Sequence, residues 1–349
     1  MVDHRSFPYE SIPTGWYQVA WSDEVTAGAV VPLRYFDQEL VLLRTETGAV
    51  RLFDAHCPHM GAHLGYGGCV EGETVRCPYH GWRFDGEGRN CEIPYAERPN
   101  RTRLRAWPVA EVATMIVAWY STAGDSPRWG PIEVPEATSG AYAGTPSLRS
   151  SWPSARLKPQ FIAENLVDAA HQKYVHGAHE IPTVVSYGSD GAVFRVESSF
   201  VFGQGKEKTW LTPDGQPRTA SLVVEAWGLG CLMARFEIDS SIHIQTTTPI
   251  DGEFADTRAT VLTPVGELID GEPTEGARRR FKHECKQYER DANIWEHLEY
   301  VFPNPLPMLE VDRFRAFRNW TTMFYPEALP GKFGASDAAS PRSVRVMSG

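Results

Sequence analysis

Short runs of β-branched and aromatic residues, broken at close intervals by turn residues, fill the first third of the chain. The runs are Trp16 to Ala20, Val41 to Arg44, Val50 to Phe53, Val75 to Arg76 and Met115 to Trp119. Glu46-Thr47-Gly48 and Asp85-Gly86-Glu87-Gly88 are among the breaks. This spacing predicts a small antiparallel β domain of hairpins. From Ala123 to about Ser151, Pro, Gly and Ser become frequent, and the stretch reads as a linker or irregular crossover. A helical period then holds for about fifteen residues from Phe161. Further β-like runs follow at Phe194 to Phe202, Ser221 to Glu225, Leu232 to Ile238, Ile242 to Thr248 and Thr257 to Leu262. A long helical pattern occupies about Pro273 to Tyr300. The expected organisation is an all-β domain with its lead-in over 1–122, a crossover over 123–150, an α+β domain over 151–331 and a flexible tail over 332–349. In the second domain an antiparallel sheet is expected between two helices.

Composition narrows the class. Apolar residues make up 42% and charged residues 22% of 349, so a normal core can form. With 44 acidic against 34 basic residues the net charge is -10, which argues against nucleic-acid binding. The N-terminal MVDHRSFPYESIPTGW has no apolar signal region, and no run reaches the ~18 apolar residues of a membrane span. A cytoplasmic, soluble protein is expected. The six cysteines, Cys57, Cys69, Cys77, Cys91, Cys231 and Cys285, then suit metal binding or burial better than disulfides. Cys69 and Cys91 read as small buried residues.

Two loops carry the first candidate chemistry. Cys57-Pro58-His59 is followed, 17 residues on, by Cys77-Pro78-Tyr79-His80-Gly81-Trp82. One thiolate and one imidazole from each loop meet the demand of a Rieske [2Fe–2S] cluster, with two Cys on one iron and two His on the other. A structural zinc site with the same four ligands is the alternative. His56 and His63 flank the first loop and are expected to make local hydrogen bonds.

The second candidate centre lies in Glu164 to His176. Glu164, Asp168 and His171 fall at i, i+4 and i+7, on one face of a regular helix. His176 is five residues beyond His171, about 140° past a full turn. Both imidazoles can bind one metal only if the helix ends or distorts near Tyr174, and Gly177 makes that feasible. Two His and a carboxylate form the facial triad of non-haem Fe(II) oxygenases, which leaves positions open for O₂. In the long C-terminal helix the apolar stripe runs Phe281, Cys285, Tyr288, Ala292, Trp295. Asp291 faces that stripe, whereas Glu284, Glu289 and Glu296 read as solvated.

The stretch Asp54 to Gly65 with Cys77 to Phe84 resembles the Rieske domain of ring- and steroid-hydroxylating oxygenases. Asn165-x-x-Asp168-x-x-His171-x-x-x-x-His176 is similar to their iron-binding helix, and Asp291-x-x-Ile294-Trp295 to the segment giving their carboxylate. The resemblance implies Cys57, His59, Cys77 and His80 as cluster ligands, with Gly81 and Trp82 shaping and shielding the loop. It implies His171, His176 and Asp291 as ligands of a mononuclear Fe(II). Asp168 would bridge a cluster histidine and an iron histidine across a subunit boundary in a homotrimer. The implied catalytic fold is a helix-grip, START-like α+β domain. With Gly15 to Asp23 and Ile93 to Asn100, the likeness points to the ketosteroid 9α-hydroxylase and sterol 7-desaturase group. It implies O₂-dependent monooxygenation of a bulky, steroid-like or polycyclic substrate. Demethylation or desaturation of a smaller aromatic is the alternative. The chain has no Gly-x-Gly-x-x-Gly fingerprint after a strand and no plant-type ferredoxin cysteine pattern. A separate NAD(P)H-dependent reductase is therefore expected, with or without a ferredoxin. His179 is expected to line the entrance.

Overall fold

A computed structural model describes residues 7–203, 212 and 216–327. The predicted tail over 332–349 lies outside these residues.

The first domain folds from eleven strands: β1 (Gly15–Trp21), β2 (Val30–Tyr35), β3 (Gln38–Arg44), β4 (Val50–Asp54), β5 (Cys69–Glu71), β6 (Thr74–Arg76), β7 (Arg83–Phe84), β8 (Asn90–Glu92), β9 (Ala106–Trp107), β10 (Val109–Val112) and β11 (Met115–Tyr120). They form three small antiparallel sheets, ordered β1-β11-β10, β2-β3-β4-β9 and β5-β6-β7-β8. All five strand runs read from the sequence are present. The third sheet is built on hairpins and carries the cysteine–histidine loops at its ends. Val41, Phe53, Leu64, Val75 and Phe84 fill the space beneath it.

The second domain holds a seven-stranded antiparallel sheet in the order β12-β18-β17-β16-β15-β14-β13. Its strands are β12 (Tyr142–Ala155), β13 (Thr183–Asp190), β14 (Val193–Phe202), β15 (Arg218–Trp227), β16 (Cys231–Phe236), β17 (Ile242–Pro249) and β18 (Ala255–Pro264). Among the described residues five α-helices accompany it: α1 (Pro135–Thr138), α2 (Pro159–Glu164), α3 (His171–Tyr174), α4 (Glu275–Trp295) and α5 (Met308–Thr321). The last third of the stretch read as a crossover, from Tyr142, is instead part of β12, an edge strand of this sheet. Pro146 falls within the register shift between Gly144 and Arg149, and Pro153 within the shift between Trp152 and Ala155. An edge strand tolerates proline because it has no partner on that side and can bulge.

One core cluster crosses the boundary between the domains. Trp16, Trp21, Met115 and Trp119 from the first pack on Met233, Ile242, Ile244 and Leu262 from the second. Several polar groups in the seam are paired across it. Thr246 donates to the buried Gln18 side chain at 2.7 Å, Thr248 donates to the Gln18 carbonyl at 2.6 Å, and the Trp21 indole donates to Thr260 at 3.0 Å. At Gly230 an added Cβ would come within 2.4 Å of the Trp16 carbonyl oxygen, so only glycine permits this approach.

Candidate metal centres and substrate cavity

The two cysteine–histidine loops share one backbone design. The Gly61 N–H donates to the Cys57 carbonyl at 2.9 Å, and the Gly81 N–H to the Cys77 carbonyl at 3.1 Å. The N–H of Cys57 reaches the Ala62 carbonyl at 2.9 Å, and that of Cys77 reaches the Trp82 carbonyl at 2.8 Å. Both glycines sit at φ +73°, a conformation that a side chain would strain. The turns bring the four side chains together. Cys57 and Cys77 are buried, His59 and His80 half-buried, and the two imidazole centroids lie 4.8 Å apart. Burial, together with the neighbouring Cys77, pushes the Cys57 thiol up to about 11. His80 Nδ1 is buried with no protein partner. A bound metal would satisfy it, so the donor set fits an iron–sulfur cluster. Trp82 covers the site, stacked on His59 at 4.2 Å and tied by its indole to the Tyr95 hydroxyl at 2.7 Å.

The flanking histidines make local bonds as expected: His56 Nε2 lies 2.7 Å from Glu39, and the Gly65 N–H donates to His63 Nδ1 at 3.0 Å. Cys91 is exposed and Cys69 part-buried, so neither is the buried residue that the sequence suggested.

The second centre differs from expectation in its backbone. The helix from Pro159 does not continue to Tyr174. It tightens into a 3₁₀ turn over Asn165–Val167, breaks, and restarts as α3. Asp168 sits at the break, where its Oδ1 accepts from the N–H groups of Ala170 and His171 at 3.0 and 3.2 Å. Glu164, Asp168 and His171 therefore do not share one regular helix face. The helix does end at Tyr174, and Gly177 follows at φ +78°, as the histidine spacing required. The break before His171 is an additional one, and Asp168 caps the restart by satisfying free N–H groups.

His171, His176 and Asp291 converge, with ligand atoms all within 4.8 Å of one another. His176 Nε2 lies 3.2 Å from Asp291 Oδ2. The other ring nitrogens point away and are held: His171 Nδ1 by the Asp168 carbonyl, and His176 Nδ1 by the Gln287 side-chain oxygen at 2.9 Å. Such outer bonds fix which nitrogen faces the metal. Burial holds the His171 pKa below the usual histidine range, which favours the neutral imidazole that a metal needs. Sequence reasoning missed Gln287, because a glutamine on a charged helix carries no motif.

Beside this triad lies a cavity of about 320 Å³, near the lower end of the usual range for ligand pockets. One wall is a face of the sheet, on which residues spaced by two along each strand point inward: Leu222 and Val224, Leu232 and Ala234, His243 and Gln245. The other wall is α4, with Phe281, Glu284, Tyr288, Asp291 and Trp295. The inward stripe on this helix was expected, but Glu284 lines the cavity instead of standing on the outer, solvent-facing side of the helix. His179 is exposed at the rim.

Comparison with known proteins agrees with both halves of this arrangement. Residues 15–113 match the Rieske [2Fe-2S] domain family, and residues 118–325 match the 3-ketosteroid 9alpha-hydroxylase C-terminal domain family. Cholesterol 7-desaturase nvd 1 of Ciona intestinalis is 26% identical over 340 residues, covering 91% of this chain and 70% of that protein. The 3-ketosteroid-9-alpha-monooxygenase oxygenase component of Rhodococcus rhodochrous is 27% identical, covering 89% of this chain and 79% of its own. Among solved structures, dicamba monooxygenase bound to 3,6 dichlorosalicylic acid superposes with a TM-score of 0.67 at 19% identity, over 91% of this chain and 98% of that one. The two family matches and the convergent donor sets together make this chain a member of the Rieske-type non-haem iron oxygenases, an oxidoreductase terminal component that uses a Rieske [2Fe–2S] cluster, a mononuclear iron and O₂.

Proposed function

We propose that this chain monooxygenates a bulky apolar substrate, steroid-like or polycyclic, with electrons from a separate NAD(P)H-dependent reductase, directly or through a ferredoxin. In this reading Cys57, His59, Cys77 and His80 hold the cluster, and His171, His176 and Asp291 hold the iron. Bound there, the metals supply electron storage and O₂ activation. The protein supplies position and dryness. The observation that carries the reading is the triad at the wall of the apolar cavity. Phe200, Phe202, Leu222, Leu232 and Phe281 exclude water, and Trp152 leans on Tyr288 at 3.9 Å to close the wall. Asp168, half-exposed next to His171, relays electrons between neighbouring copies of a homotrimer. Desaturation of the same substrate class is the second reading, supported by the likeness to cholesterol 7-desaturases over nine-tenths of the chain.

A single turnover tests this. Metal-loaded protein is reduced chemically and mixed with O₂ and a panel of steroids and single-ring aromatic acids, and the products are read by mass spectrometry. A steroid gaining one oxygen atom is expected, and a steroid losing two hydrogens selects the second reading. Conversion of the aromatic acids alone would overturn the substrate assignment.

A further inference from the structure

The cavity has a polar end that the iron site does not use. Glu284 stands seven residues before Asp291 on α4, on the same helix face. Two turns separate them, about 10.5 Å along the axis at 1.5 Å per residue. That gap suits a molecule of three or four fused rings with one end at the triad.

Glu284 keeps 32% of its side-chain area accessible, and the space it opens onto is the cavity that it lines. Its ion-pair partner is His243, whose Nδ1 is 3.4 Å from Oε2, and His283 and His176 act on its charge from further off. A carboxylate has about four acceptor directions, so most of this one's capacity is unmet by protein.

His243 is fixed from behind. The Ser241 hydroxyl gives its proton to Asp239 at 2.7 Å, so it accepts from His243 Nε2–H at 2.9 Å. Arg280 lies 3.3 Å from Asp239 and is shared with Glu267. With Nε2 turned to Ser241, His243 presents Nδ1 to Glu284, and what the carboxylate lacks is a hydrogen-bond donor from inside the cavity.

We infer that Glu284, braced by His243, accepts a hydrogen bond from a hydroxyl group at the end of the substrate remote from the iron site, so that the enzyme takes a polycyclic alcohol in preference to the matching ketone. A ketone offers only lone pairs to the carboxylate. An alcohol supplies one donor and no charge. Glu284 and His243 act here as specificity residues. The inference rests on the reading of the cavity as the seat of a bulky apolar substrate.

The test is equilibrium binding to the metal-loaded protein without O₂, read by quenching of the cavity tryptophans Trp152 and Trp295. The probes are matched alcohol and ketone pairs of one steroid nucleus, with the oxygen at the 3-position in one pair and the 17-position in the other. The expected result is an alcohol bound about 10- to 100-fold more tightly than its ketone in at least one pair, as for a hydrogen bond to a charged acceptor. In E284L that preference collapses to within about threefold, and E284Q falls between, while ketone binding holds or improves. An unchanged melting temperature and cluster spectrum show that each variant is folded. Equal binding of alcohol and ketone by the unmodified protein, or a preference that survives E284L, overturns this inference alone. Binding of single-ring aromatics with no steroid bound overturns the bulky-substrate reading and this inference with it.

Discussion

Replacing Gln287 by leucine should loosen the iron while leaving the fold and the cluster in place. The Gln287 amide has a determined orientation. Its oxygen accepts from Arg290 at 3.2 Å, and an arginine can only donate, while its nitrogen lies 2.6 Å from His283 Nε2. The same oxygen therefore accepts from His176 Nδ1–H at 2.9 Å and leaves Nε2 facing Asp291. Leucine has nearly the same volume but accepts nothing. The ring would lose its orienting bond and part of its basicity. Loss of such outer partners lowers metal affinity 10- to 100-fold, about 1.4–2.8 kcal/mol. The assay is Fe(II) partition against a competing chelator under anaerobic conditions, with the visible absorbance of the cluster as internal control. Q287E, which keeps an acceptor, should hold iron at least as well as the unmodified protein. Affinity for iron within about threefold of the unmodified protein in Q287L would refute the argument that this bond orients the ligand.

Two other perturbations follow from the same geometry. Glu164 and Arg318 form a bidentate pair at 3.0 and 2.9 Å between α2 and α5, both nearly buried, and Arg318 also reaches the Val301 carbonyl and Asn304. Removing the carboxylate in E164A should destabilise the protein by about 3 kcal/mol, the lower end for a broken buried pair because Arg318 keeps two acceptors; denaturant titration checks this, and a change below about 1 kcal/mol would contradict it. D168N should retain both metals yet form less product per reduced cluster in a single turnover, because an amide cannot replace a charged acceptor between the two histidines. Full product yield would remove Asp168 from the electron path.

What was legible in the sequence was what depends on spacing. The paired loops and the two histidines stand at short spacings that suit metal ligands, Asp291 stands beside an apolar helix stripe, and the strands of the first domain alternate with turn residues. The parts that escaped depend on contacts distant along the chain. β13 is rich in Gly, Ser and Asp, residues depleted in strands, and it forms because β14 offers it an edge. β12 hides behind two prolines that only an edge strand accommodates. α5 carries Phe314, Phe317, Arg318 and Thr321 on its buried face, and the arginine masks the apolar period. Glu284 looks like any surface glutamate on a charged helix until the sheet closes over it. The helix end at Tyr174 was legible from the histidine spacing and Gly177, whereas the earlier break at Asp168 escaped, because a cap and a helical face use the same residue.

The paired seam between the domains joins two sequence families through one shared core, and the two are expected to unfold together. Domains in one chain often meet through small, polar contacts and move against each other. Here Gln18, Trp21, Thr246, Thr248 and Thr260 are locked together under a shared tryptophan-rich core. The sheet that walls the cavity rests its back on the domain that holds the cluster. The pigment at one end of the molecule is thereby a built-in gauge of the other: loss of its colour on heating reports the collapse of the substrate chamber.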